Sequence, residues 1–117
     1  MQAGHELDVK VAEALGYEVG KFPPDYYIVV DGDIETLPHF STTWGGMGVL
    51  VEEAKKQGIY LEYEHYQNNR YLGRYWEQLP AEQDWLLTPA SFALNPPEGE
   101  SAPHAVALAY LMARGAI

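Results

Sequence analysis

The sequence predicts a single α+β domain, an α-β-α layered sandwich in which helices pack on a mostly antiparallel sheet. Three observations lead there. Apolar residues recur at helical spacing in three separated stretches, near residues 5–16, 44–58 and 101–114. Between the second and third stretch, residues 59–66 alternate with period two, and a polar turn then leads into a second strand-like run. At 117 residues the chain is long enough for one core but not for two.

In the first helix, Leu7, Val11, Ala14 and Leu15 form the apolar stripe and Gly16 ends it. Glu6 and Asp8 favour the positive end of the helix dipole. Residues 17–24 read as a connector, marked by Gly20 and the Pro23–Pro24 pair. Asp25 to Val30 is a strand by its aromatic and β-branched content, and Asp31-Gly32-Asp33 is a turn that ends it. Residues 34–39 then lead through Pro38 into the central helix.

Ser41, Thr42 and Thr43 offer capping hydroxyls to that helix, whose stripe is Trp44, Met47, Leu50, Val51 and Ala54. Gly58 is placed to stop it. Gly45, Gly46 and Gly48 each cost about 1 kcal/mol against Ala in a helix, so something must approach closely there or the first turn is loose. Ile59 to Tyr66 and Arg70 to Trp76 form a β-hairpin around Gln67-Asn68-Asn69, with Arg70, Leu72, Arg74 and Trp76 sharing one face. Asp84 to Leu87 suits a short strand or a helical turn, and the prolines and Gly99 between residues 88 and 99 read as loop. Ser101 caps the last helix, where Pro103 is tolerated in the first turn. Val106, Leu108, Ala109, Leu111 and Met112 make this helix apolar over more than half its girdle, so it packs deeply against the sheet or another subunit.

Composition narrows the function. Seventeen acidic residues against seven basic ones give a formal charge of −10, which argues against a general nucleic-acid surface. The absence of cysteine removes disulfides and thiolate metal sites. No apolar run approaches a membrane span, and Met1 to Glu6 lacks a signal-peptide pattern, so a cytoplasmic product is expected.

Three segments resemble the phage ABA-sandwich domain family of small phage and prophage proteins. Ala3-Gly4-His5-Glu6-Leu7-Asp8 with Val11-Ala12-Glu13 is similar to that family's opening G-R-E-L-D … V-A-E helix. Leu37-Pro38-His39-Phe40-Ser41-Thr42 followed by Val51-Glu52 is similar to its P-x-Y-S-T-D … V-V-E segment. Glu100-Ser101-Ala102-Pro103-His104-Ala105 with Ala107-Leu108-Ala109 is similar to its E-T-A-P-x-A … A-A-L closing helix. His5 stands where the family shows Arg, and Thr43 where it shows Asp. The resemblance implies a layered fold and a phage gene product working in the host cytoplasm; it brings no catalytic residues.

Several candidate sites follow from the residues. Asp31, Asp33 and Glu35 alternate as carboxylates gathering a hard cation do, although a strand-ending turn explains them more simply. The four histidines make no i, i+4 pair, so no zinc site is expected. His5, His39 and His104 stand near three helix starts, where an anion can be held, although separate surface imidazoles are the simpler account. The hairpin is the most suggestive region: Tyr60, Tyr63, Tyr66, Tyr71, Tyr75 and Trp76 surround Arg70 and Arg74, two of seven basic residues. Aromatic faces stack on bases, Arg forks bind phosphate, and Tyr and Arg are enriched at protein interfaces.

The expectation is a non-enzymatic phage-derived binding protein, without cofactor or metal, that counteracts host defence by sequestering a small anionic or nucleotide-like ligand or by masking a host protein. Its ligand-binding residues are expected to be Arg70, Arg74, Tyr71, Tyr75, Trp76, Trp44, Ser41 and His104. The apolar last helix points to a homo-oligomer. The alternatives are a metal-dependent hydrolase built on Asp31 and Asp33 with a histidine, and a structural or assembly component.

Overall fold

A computed structural model describes residues 1–22, 25–68, 70–78, 85–87 and 96–117. The chain order is α1 (His5–Leu15), β1 (Glu18–Phe22), β2 (Asp25–Val30), β3 (Asp33–Thr36), α2 (Trp44–Lys56), β4 (Ile59–Gln67), β5 (Arg70–Gln78), β6 (Trp85–Leu87), β7 (Glu98–Gly99) and α3 (Ala102–Ala113). The result is a layered α+β sandwich with antiparallel strands throughout the described residues, as the sequence predicts. The strands divide into two sheets rather than one, a meander β1-β2-β3 and a sheet β4-β5-β6 with β7 also pairing β5.

The helices begin and end where their caps are. Gly16 takes a left-handed φ of 96° after α1. The Thr43 side chain accepts the Gly46 N–H at 2.9 Å, and Ser101 accepts the His104 N–H at 3.2 Å. Three segments differ from the sequence reading. Glu98–Gly99, read as loop, is the short strand β7, held by antiparallel pairing with Tyr71 and Leu72 of β5. Glu18–Phe22 is a strand, not a connector, because pairing with β2 supplies hydrogen bonds that its weak alternation does not advertise. Asp31-Gly32 does not merely end β2; with φ of 51° and 85° it closes a two-residue hairpin that pairs Val30 with Asp33 and makes β3 a strand. The segment near residue 85 resolves as strand β6. The polar excursion and the proline-rich loop read from the sequence fall mostly on residues 79–84 and 88–95, outside the described residues, as does Asn69 of the hairpin turn.

α1 lies on β1 and β2, α2 on β4, and α3 on β4, β5 and β7, and α3 joins the two halves by packing against α1 and α2. Every residue of α3 from Ala102 to Leu111 is buried. The apolarity that pointed to another subunit is therefore satisfied within one chain. β5 meets α3 backbone to backbone at Gly73: a Cβ there would run into the Ala105 carbonyl, and the Gly73 N–H donates to the Pro97 carbonyl at 2.8 Å.

Tyr110 is fully buried in α3, its hydroxyl donating to the Gln57 side-chain oxygen at 2.7 Å. Burial raises its pKa, against smaller lowering effects of Arg114 and Gln57. Tyr17, in a cleft of about 250 Å³ with Glu35 and Glu53, is raised first by burial and then by the charge and hydrogen bond of Glu53. Both phenols therefore keep their protons to higher pH in the folded chain than in the unfolded one. Their contribution is complete below the ordinary tyrosine value of 10.0 and is lost as pH rises above it. Stability measured against pH should fall in that alkaline window, and Tyr110→Phe should make the fall shallower. An unchanged slope would contradict the assignment.

Candidate functional site

The hairpin presents two different faces. The register pairs Tyr63 with Gly73, His65 with Tyr71 and Leu61 with Tyr75 on the face toward the helices, and Tyr60 with Trp76, Glu62 with Arg74 and Glu64 with Leu72 on the other. Alternation along the sequence dictates this division; the helices decide which face is covered.

On the helix face, four rings stand in succession. Trp44, at the start of α2, meets the Tyr63 ring edge-on at 5.7 Å. Tyr63 lies 6.1 Å from Tyr71, and Tyr71 stacks on His65 at 4.4 Å with planes only 7° apart. His65 Nε2–H donates to the Asn68 carbonyl at 2.7 Å, which fixes that ring as a donor toward the turn. Asn68 reaches it because its φ of 48° turns the chain back. The row is open to solvent: Trp44 is 59% exposed and Tyr63 40%. Of the three glycines in α2, Gly46 admits a neighbouring backbone, since a Cβ there would strike the His39 carbonyl, whereas Gly45 and Gly48 face open space.

On the opposite face and at the tip, the arginines are engaged. Arg70 binds Glu98 with two nitrogens, at 2.5 and 3.1 Å, and its guanidinium lies 4.8 Å from the Tyr66 ring centre. The hydrogen bond raises the Arg70 pKa and lowers that of Glu98. Arg74 donates to Glu64 at 3.0 Å.

The eight residues expected to bind a ligand are thus not one site. Trp44 and Tyr71 belong to the exposed ring row. Arg70, Arg74 and Trp76 lie on the other face of the hairpin. Tyr75 is 7% exposed and part of the core. Ser41 is fully buried; its N–H and hydroxyl both donate to Asp8 Oδ1, at 2.8 and 2.6 Å, and it accepts the Gly4 N–H. His104 is buried too, accepting the Glu100 N–H at Nδ1 and donating from Nε2 to the Met1 carbonyl at 2.7 Å. Ser41 and His104 spend their polar atoms tying chain segments together, which removes them from a binding surface.

Of the three histidines near helix starts, only His5 and His39 meet, their rings 6.1 Å apart. Asp31 sits in the β2–β3 turn while Asp33 and Glu35 lie exposed on β3, and among the described residues no three histidine, aspartate or glutamate side chains gather as metal ligands. Tyr63 and His65, absent from the expected set, complete the ring row. The period-two pattern could have found them, because it places both on the face that carries Tyr71.

Among the described residues no helix is long and apolar enough to cross a membrane. Comparison of the chain with protein-family models, with curated proteins and with solved structures finds no match.

Proposed function

We propose that this chain is a non-enzymatic, phage- or prophage-derived binding protein that masks a host protein in the host cytoplasm, docking through the row Trp44, Tyr63, Tyr71 and His65. The observation that carries the reading is the contrast between the two kinds of hairpin side chain. Trp44, Tyr63 and His65 are exposed, Tyr71 is partly exposed, and the four rings stand in succession, whereas both arginines already hold carboxylates. Large aromatic anchors suit a protein interface, and occupied guanidinium groups are poor receptors for phosphate. The phage setting rests on the three segments that resemble the phage ABA-sandwich family.

The test is affinity capture from host lysate with wild-type protein, Trp44→Ala/Tyr63→Ala and Arg70→Ala/Arg74→Ala. The aromatic double variant should lose the captured protein at least tenfold, about 1.4 kcal/mol of binding, and the arginine variant should keep most of it. Equal capture by wild type and the aromatic variant would overturn the reading. So would a nucleotide-sized mass retained in native mass spectrometry and lost on Arg70→Ala/Arg74→Ala, which supports the sequestration of a small anion instead.

A further inference from the structure

β4 is the outer strand of its sheet. β5 pairs along one edge, and among the described residues no backbone hydrogen bond reaches the other edge between Leu61 and His65. In an antiparallel pair, alternate residues turn their N–H and C=O groups away from the partner strand, so this stretch offers outward donors and acceptors. Residues 62 to 67 are all exposed and Leu61 partly so, which leaves this stretch at the surface. The register irregularity between His65 and Gln67 marks where the regular edge stops.

The two faces flanking this edge are chemically different. On one side α2 packs on β4 and brings Trp44 against Tyr63. Gly48, one turn after Trp44 on the same side of the helix, leaves the space beside it open. On the other side stand the exposed carboxylates of Glu62 and Glu64, the latter bonded to Arg74. An added strand would therefore set alternate side chains against aromatic rings and against carboxylates.

We infer that the β4 edge receives an extended basic segment of a partner protein by strand addition, with Lys or Arg at alternate positions on the face where the carboxylates of Glu62 and Glu64 outnumber the one guanidinium of Arg74, and apolar residues between them facing Trp44 and Tyr63. A second copy of this chain is the wrong occupant. Pairing two β4 edges antiparallel would bring glutamates against glutamates on a chain whose formal charge is −10. The inference rests on the docking reading above and adds the backbone geometry and the charge of the partner.

The experiment uses the whole chain and labelled peptides of alternating Lys and Val. Controls are the matching Glu and Val peptide, and two Lys–Val peptides N-methylated on one or the other set of alternate residues. The Lys–Val peptide should bind and slow amide exchange at Leu61 to His65. The acidic peptide should not bind, and N-methylation of one set should weaken binding at least tenfold while the other set is tolerated. Glu62→Lys should weaken the Lys–Val peptide as well. Failure of the Lys–Val peptide to bind, equal binding of both N-methylated peptides, or unchanged exchange at Leu61 to His65 would overturn strand addition. Host-protein capture that still depends on Trp44 and Tyr63 would then leave the docking reading standing, whereas capture independent of them would remove that reading separately.

Discussion

Replacing Gly73 by Ala is expected to lower stability by about 3 kcal/mol, the upper part of the range for forcing an extra group into a packed core. A Cβ at this position would collide with the Ala105 carbonyl and crowd the Ala109 methyl at 3.0 Å. The neighbour is helix backbone, which yields only if α3 moves off β5. That movement would disturb the contacts of a helix buried from Ala102 to Leu111 and the Gly73 N–H bond to Pro97. Gly48→Ala is the control, because it adds the same methyl in a helix with open space around it and should gain about 1 kcal/mol. Urea unfolding of the two variants checks both signs. A small loss for Gly73→Ala would mean that β5 and α3 are not in backbone contact.

Asp8→Ala is expected to cost about 3 kcal/mol, since it strands the buried Ser41 N–H and leaves the Ser41 hydroxyl only the more distant Gly4 carbonyl at 3.4 Å. The Ser41 N–H and hydroxyl both end on Asp8 Oδ1, and Ser41 in turn accepts the Gly4 N–H, so one side chain of α1 fixes the approach to α2. Asp8 and Ser41 are completely buried, and water has no direct route to the orphaned groups. Among the described residues the second carboxylate oxygen, Oδ2, finds no hydrogen-bond partner. Asp8→Asn keeps one carbonyl oxygen for both Ser41 donors and removes the buried charge, so it should cost about half as much as Ala. Thermal unfolding of the two variants separates the cases. Equal losses for Asn and Ala would show that charge rather than the Ser41 bonds holds this junction.

These two residues illustrate what the sequence exposes and what it hides. Local patterns determined most elements: the stripes of α1, α2 and α3, the caps Thr43 and Ser101, the stop at Gly16, and the two faces of the β4–β5 hairpin all follow from spacing within about ten residues. The sequence also placed Trp44 and Tyr71 among the residues of interest by type alone. Whether a side chain is available is another matter, because burial depends on what arrives from far along the chain. Ser41 looks like a spare helix-capping hydroxyl until Asp8, 33 residues earlier, claims it. His104 looks like a helix-start histidine until the carbonyl of Met1, 103 residues earlier, accepts a hydrogen bond from its Nε2–H. Arg70 looks like a phosphate fork until Glu98, 28 residues later, fills it.

Only tertiary structure therefore decided which face of the hairpin stays open and which cations are spent. It also decided that the strands form two sheets, and that α3 covers its apolar girdle inside one chain. The physical reason is range. Periodicity and capping act between neighbours, so the sequence alone determines them; desolvation and pairing act between whatever the fold brings within a few ångströms.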